Sequence, residues 1–352
     1  MSEMLRCAVI GTGSIGLDHL SSLSHCPRAC AVAIADNHAD RVKEAADRFK
    51  IARSYVDYRD VLDQPDIDAV TIAVPNHLHA RIAIDALKAR KHVLLEKPMA
   101  MNAKEAAKIL ETARKVRRMV MVAQNMRFDA QVQMARALIE RGELGEIYHT
   151  RAFWLRRAGI PRIGSWFTQK QFSGGGSLCD LGVHLLDLAL HLMGEFEVRS
   201  VTAQTFSKFG PRGMGEMDWG KSEIDTRKTF DVEDNAVALL RLKSGRSLIL
   251  ESGWAGFHNP DQREIGIDLL GTQGGLSLFP ARQFRNGSNG YETVHLTLAR
   301  LPHSEDRVQH FVSSVLENKK PLVPAEQSVK VQQILDALYS AASTGREVRL
   351  GK

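Results

Sequence analysis

Between residues 6 and 123 short β-branched runs alternate with amphipathic stretches, and this alternation limits what the chain can fold into more than any single motif. Residues 7–10, 30–35, 68–74, 92–95 and 119–123 read as strands, and residues 14–23, 40–49, 77–89 and 103–116 as helices. The run Asp68–Val74 (DAVTIAV) is apolar at nearly every position, as expected of a strand covered on both faces. Strands separated by helices of this length build a parallel sheet with helices on both sides. The alternation stops near Phe128. A chain of 352 residues leaves room for a second domain, so the sequence divides into residues 1–125 and 126–352.

The first strand runs into Gly11-Thr12-Gly13-Ser14-Ile15-Gly16, and a helix opens there. In a dinucleotide-binding fold the first glycine permits the tight turn and the second lets a pyrophosphate approach the backbone. The third lets helix and strand pack closely, and the phosphates rest on the positive end of the helix. A glycine pattern alone is weak. Here Asp36 closes the second strand twenty residues after Gly16, where a carboxylate accepts the adenosine ribose hydroxyls. That carboxylate repels the extra phosphate of NADP. Asn37 and His38 supply no fixed positive charge, and Arg41 falls inside the next helix, so NAD is the expected cofactor.

Three later motifs sit where strands end or helices begin. Val74-Pro75-Asn76-His77-Leu78-His79 closes the third strand; Asn76 reads either as a contact to ribose or carboxamide, or as a plain helix N-cap. Glu96-Lys97-Pro98 follows the fourth strand, and Lys97 reads either as a group reaching nicotinamide and substrate, or as a surface lysine. Gly174-Gly175-Gly176-Ser177-Leu178-Cys179-Asp180-Leu181-Gly182-Val183-His184 leads into an amphipathic helix that runs to Met193. Its Asp180 and His184, four apart, share one helix face. Histidine titrates near neutral pH, so His184 is a candidate proton acceptor and Asp180 its partner. A helix-start carboxylate plus a core histidine is the competing reading.

Taken together and in this order, the four motifs resemble the Gfo/Idh/MocA oxidoreductases, over essentially the whole chain. The resemblance implies a Rossmann domain followed by an α/β domain with an open, largely antiparallel sheet that supports oligomer contacts. It places the catalytic lysine, aspartate and histidine on Lys97, Asp180 and His184. It implies cofactor contacts from Gly11, Gly13, Ser14, Ile15, Gly16, Asp36, Pro75, Asn76, His79, Glu96 and Lys97, a cis peptide before Pro98, and a substrate-proximal Arg127. The expected activity is NAD-dependent oxidation of a secondary hydroxyl of a sugar or cyclitol. The stretch from Arg156-Arg157-Ala158-Gly159-Ile160-Pro161 through Ser165-Trp166-Phe167 to the triple glycine most resembles the glycoside 3-dehydrogenase branch, which makes 3-keto sugars. Inositol dehydrogenases, or a redox-assisted NAD-dependent glycosidase, are the alternatives. Arg157 and Trp166 join Lys97, Arg127, Asp180 and His184 as candidate substrate contacts.

Beyond residue 128 the sequence predicts a helix at 129–141, strands at 146–154, 198–206, 235–242, 247–253 and 264–270, and helices at 305–318 and 328–344. Many strands with short turns build an antiparallel sheet with one covered face; its bare face predicts a homo-oligomer, dimer or tetramer. The polar stretch 207–231 offers Asp218, Trp219 and Asp225 as sugar contacts, or a dimer arm.

Composition excludes several other classes. The net charge of +6 comes from short clusters such as Arg114, Lys115, Arg117 and Arg118, without interleaved aromatics, so nucleic acid is not an expected partner. No apolar run reaches the roughly 18 to 20 residues of a membrane span. The first residues lack a signal-peptide pattern, which with four scattered cysteines (Cys7, Cys26, Cys30, Cys179) predicts a cytoplasmic protein with free thiols. No Cys/His set matches a zinc site, so no metal is expected. No tyrosine is followed by lysine at the short-chain dehydrogenase spacing.

Overall fold

The computed structural model describes residues 4–217, 230–259, 261–297 and 305–351. The chain folds into two compact units. The first comprises residues 1–125 and also takes Glu305–Gln332. The expected single boundary at 125/126 therefore accounts for the outward crossing of the chain and misses its return.

In the first unit the elements run β1 (Leu5–Ile10), α1 (Ser14–Ser24), β2 (Ala29–Ala35), α2 (Ala39–Phe49), β3 (Arg53–Tyr55), α3 (Tyr58–Leu62), β4 (Ala69–Ile72), α4 (Asn76–Lys88), β5 (His92–Leu95), α5 (Ala103–Val116) and β6 (Val120–Val122). All six strands are parallel, in the order β3-β2-β1-β4-β5-β6. Every residue of β4 is buried, because helices cover both faces of the sheet. The order reverses between β1 and β4, and ligands of open α/β sheets bind beyond the carboxyl ends of the strands at such a switch point. The loops after β1 and β4 carry the glycine motif and Asn76.

The second unit contains α6 (Ala130–Glu140), β7 (Ile147–Leu155), β8 (Ile160–Pro161), α7 (Lys170–Ser173), a π-helical turn (Leu178–Gly182), α8 (Val183–Met193), β9 (Val198–Phe206), β10 (Glu216–Met217), β11 (Asn235–Leu242), β12 (Ser247–Gly253), β13 (Ile265–Gly271), β14 (Gly274–Leu278), β15 (Arg282–Gly287) and β16 (Gly290–His295). Two helices and a short strand follow: α9 (Arg307–Leu316) in the first unit, α10 (Ala325–Thr344), within which the unit boundary falls, and β17 (Val348–Arg349). The nine-stranded sheet has the order β16-β15-β14-β13-β7-β12-β11-β9-β17. Only the central β7–β12 pair in it is parallel, so the sheet is largely antiparallel, as expected.

Strict alternation in β11 puts Ala236, Ala238, Leu240 and Leu242 on the buried face, which α8 covers. The other face carries Val237 (43% exposed), Leu270 (43%) and Phe284 (40%). Against the expectation from apolar runs, the segment Lys170–Met193 is long and apolar enough to cross a membrane by length and composition; 89% of its most apolar window is buried in the protein, as in a core helix. All four cysteines are free thiols.

Candidate active site

In the first unit the chain leaves β1 at Gly11, whose φ of +93° disfavours any other residue. A Cβ there would lie 2.3 Å from the Ala73 carbonyl oxygen, and one at Gly16 would lie 1.8 Å from the Gly11 oxygen. These two glycines are demanded by contact within the protein. At Gly13 a Cβ would meet nothing within 4 Å, so a bare stretch of backbone faces outward there. Helix α1 starts at Ser14 with Gly13 as its N-cap, without a side-chain cap and without an acidic residue in its first turn. Its leading amides are thus presented to an anion. Ser14 is exposed and Ile15 half-buried. Asp36, half-buried at the end of β2, accepts hydrogen bonds from the Thr12 amide (2.7 Å) and hydroxyl (3.1 Å) and from the His38 amide (3.0 Å). The carboxylate is therefore fixed against the glycine loop, where a ribose diol would meet it. The loop, the helix start and Asp36 together fit an NAD molecule.

At the ends of β4 and β5 the structure refines two expectations. The N-cap of α4 is Pro75, and no side chain caps it. Asn76 is the first helical residue and is buried, so the plain N-cap reading of Asn76 does not hold. His79 was expected among the cofactor contacts. Its ring is instead wholly enclosed, with Nδ1 2.7 Å from the Pro98 carbonyl and Nε2 2.9 Å from that of Val74. Burial pushes His79 below its ordinary pKa against the pull of the two carbonyls. It ties the two strand-end loops together and acts on a cofactor only through them.

The Lys97–Pro98 peptide is cis, as the resemblance implied. Glu96 takes the Lys97 amide on Oε2 (3.2 Å) and His19 Nε2 on Oε1 (3.0 Å), with Arg307 Nε 3.7 Å away. Burial alone would raise the Glu96 pKa; the hydrogen bond and charge of His19, with Arg307 and Lys97, outweigh it and hold the group at about 2. Glu96 is therefore a permanent anion beside the half-buried Lys97. Neither His19 nor Arg307 was legible in advance, since they lie 77 and 211 residues from Glu96 in the sequence.

In the second unit the triple glycine ends α7 and enters the π-helical turn Leu178–Gly182, which runs directly into α8. π turns inside helices recur at functional sites. From Gly175 to Met193 every residue is buried except Asp180 and His184. The sequence thus builds an apolar core segment that opens to its surroundings at a carboxylate and an imidazole, which disfavours the reading of His184 as a plain core histidine. Two tryptophans pack against this pair. The Trp254 indole N–H donates to Asp180 Oδ2 at 2.9 Å, and the Trp154 ring lies 6.3 Å from that of His184 at 48°. The glycines that precede the turn are required by packing. A Cβ at Gly175 would lie 1.9 Å from the Tyr339 hydroxyl, and one at Gly176 would lie 1.8 Å from the Glu233 carbonyl oxygen. The buried Glu233 side chain accepts from the Gly176 amide (3.0 Å), the Leu178 amide (2.9 Å) and the Tyr339 hydroxyl (2.9 Å). Burial pushes the Glu233 carboxyl up, and these donors oppose the shift.

The remaining candidates are placed as follows. Arg127, expected beside the substrate, is 0% exposed, and its guanidinium makes a bidentate pair with Asp187 (2.7 and 2.6 Å), itself 1% exposed. The expected substrate contact is therefore replaced by a structural ion pair that ties α8 to the start of this unit. Arg157 is exposed just after β7, and Trp166 stacks on Phe167 at 3.8 Å. Asp218, Trp219 and Asp225 lie outside the described residues. No group of three His, Cys, Asp or Glu suited to a metal ion occurs among the described residues.

Comparison with known proteins agrees with this arrangement. A family model described as "Oxidoreductase family, NAD-binding Rossmann fold" matches residues 5–124, and one for the GFO/IDH/MocA C-terminal domain matches residues 132–277. The chain is 31% identical to a D-glucoside 3-dehydrogenase of Escherichia coli (strain K12) over 99% of its own length and 98% of the relative's. It is 26% identical to a myo-inositol 2-dehydrogenase of Thermotoga maritima over 98% of each chain. A solved levoglucosan dehydrogenase, in complex with NADH and levoglucosan, superposes with a TM-score of 0.86 at 26% identity, covering 99% of this chain and 100% of that one. The chain belongs to the Gfo/Idh/MocA family of NAD-binding oxidoreductases.

Proposed function

We propose that this enzyme oxidises the C3 hydroxyl of a pyranoside to a 3-keto sugar. The observation that carries the reading is the Asp180–His184 pair, the one opening in an otherwise buried segment, with tryptophans beside both residues. Carboxylates hold sugar hydroxyls, and indole faces suit the C–H surface of a pyranose. Full-length similarity to a glucoside 3-dehydrogenase supports C3 over other positions.

The Gly11–Gly16 loop, Asp36, Asn76 and the Glu96-Lys97 strand end would hold NAD, which would supply the acceptor for the hydride of C3. His184 Nε2 accepts the proton of the C3 hydroxyl as that hydride leaves, so the sugar loses two electrons and two hydrogens in one step. The Lys97 ammonium donates a hydrogen bond to the same oxygen while negative charge develops on it, which is worth most where water is scarce. Asp180 accepts a neighbouring substrate hydroxyl or tunes the proton acceptor. Positioned acid–base groups of this kind contribute about 10²- to 10⁴-fold in rate.

The bare sheet face bearing Val237, Leu270 and Phe284 fits a second copy of the chain, and a homo-oligomer completes the proposal; light scattering of the purified protein checks it.

The activity test is NADH formation across methyl glucosides, free hexoses and inositols, with NAD and NADP in parallel. Turnover of glucosides with NAD supports the proposal. Turnover confined to inositols moves the substrate to cyclitols. Free aglycone without net NADH makes the enzyme a redox-neutral glycosidase.

A further inference from the structure

Asp180 belongs to the proposed catalytic group, but its own backbone does not determine where its carboxylate points. The side chain stands on a π turn, where the helical ladder is locally irregular. What fixes the carboxylate comes from far along the chain: the indole N–H of Trp254, 74 residues away, donates to Asp180 Oδ2 at 2.9 Å.

Trp254 is itself held firmly. Its side chain is 0% exposed and packs with Ile160, Ile163, Leu181 and Val232. Its amide donates to the Asp234 carbonyl at 2.8 Å. Asp234, also 0% exposed, accepts the amides of Lys208, Phe209 and Gly210 on one carboxylate oxygen at 2.6 to 3.0 Å. The donor is thus anchored at both ring and backbone, while the acceptor it reaches is the half-buried group of the pair. Tryptophan can donate but not accept, so the contact has one polarity. It favours the ionised carboxylate and orients it. A core tryptophan without a function needs only some buried acceptor for its N–H; this one takes the oxygen of a residue in the proposed catalytic group.

We infer that Trp254 is a positioning residue for the oxidation step, acting through its indole hydrogen bond to the Asp180 carboxylate. The inference rests on the function proposed above. A hydrogen bond to a charged group supports a loss of about 10- to 100-fold when it is removed, and the loss falls on kcat, because the sugar retains its other contacts.

The test combines two readouts. In enzyme labelled with 15N-tryptophan, the indole resonance of Trp254 is followed on replacing Asp180→Ala, which removes the acceptor. The chain has four tryptophans, so the signal is readily separated. The expected result is an upfield move of that resonance; an unmoved resonance shows that the bond is not made and overturns the inference whatever the substrate is. Kinetically, Trp254→Phe keeps the ring and removes the donor. It is expected to lower kcat about 10- to 100-fold with KM within a few-fold of wild type, and to cost nothing further in an Asp180→Ala background. Full activity in Trp254→Phe alongside an impaired Asp180→Ala overturns the inference and leaves the proposed function standing. Equal further loss in the Asp180→Ala background shows a general packing role and also overturns it. Normal turnover in Asp180→Ala removes Asp180 from the mechanism and takes both readings with it. Should Trp254→Phe fail to fold, the resonance experiment decides alone.

Discussion

Replacing Arg127 with methionine removes the cation from a pair in which neither side chain touches solvent. The guanidinium also lies 5.4 Å from the Phe196 ring centre, so methionine, which fills similar space, leaves much of the packing in place. What it cannot replace is the charge. Asp187 keeps a carboxylate in a site that is 1% exposed. Stranding one partner of a buried pair costs about 3–5 kcal/mol. At about 2–4 °C per kcal/mol for a unit of 150–250 residues, the melting midpoint falls by about 6–20 °C. Arg127→Met combined with Asp187→Leu removes both charges and is expected to return to within about 1 kcal/mol of wild type or above it. Thermal and urea unfolding of the four proteins measures this directly. An unchanged midpoint in Arg127→Met, with a large rise in KM for the sugar, would refute the reasoning and return Arg127 to the substrate.

Other predictions follow from the first unit. Asp36→Ser removes the carboxylate that Thr12 and His38 hold in place, and the ratio of kcat/KM for NAD over NADP should fall about tenfold or more; an unchanged ratio assigns the preference to another residue. Gly13→Ala adds a methyl that meets nothing in the protein, so the melting midpoint should hold while NADH affinity, read by fluorescence titration, drops. Lys97→Met should lose about 10²-fold or more in turnover, a far larger change than in NADH affinity, and normal turnover would remove it from the mechanism. The depressed pKa of Glu96 adds stability that is complete above about pH 4.5 and is lost as pH falls toward 2. The displacement corresponds to about 3 kcal/mol, so the stability gap between wild type and Glu96→Gln should narrow by that order in urea titrations between pH 6 and pH 2.5; parallel curves would contradict it.

The periodic parts of the fold were legible because burial imposes its period on the sequence. β11 and β12 begin and end where the alternation of side chains does, and α5 where its apolar stripe does. β3 and α3, three and five residues long, are too short to show a period. The strands β15 and β16 escaped because their outward residues, among them Phe284 and Tyr291, mix apolar and charged types on an exposed edge. For the site, the motifs located groups whose role is tied to a local backbone feature: a glycine turn, a strand end, a helix start. Trp254, Glu233, Tyr339, His19 and Arg307 act across long sequence separations, and nothing local distinguishes them from ordinary core or surface residues. His79 and Arg127 show the converse. Their motifs place them near the chemistry, but only burial and partners reveal that both are engaged in holding the backbone and core.

The central claim is hydride removal from C3 of a pyranoside, and methyl glucoside deuterated at C3 alone tests it most directly. With NAD as acceptor, the account predicts deuterium in the reduced nicotinamide, a slowed turnover relative to unlabelled sugar, and a 3-keto product. Unlabelled NADH with the deuterium retained in an oxidised sugar would contradict it, and would place the oxidation at another carbon.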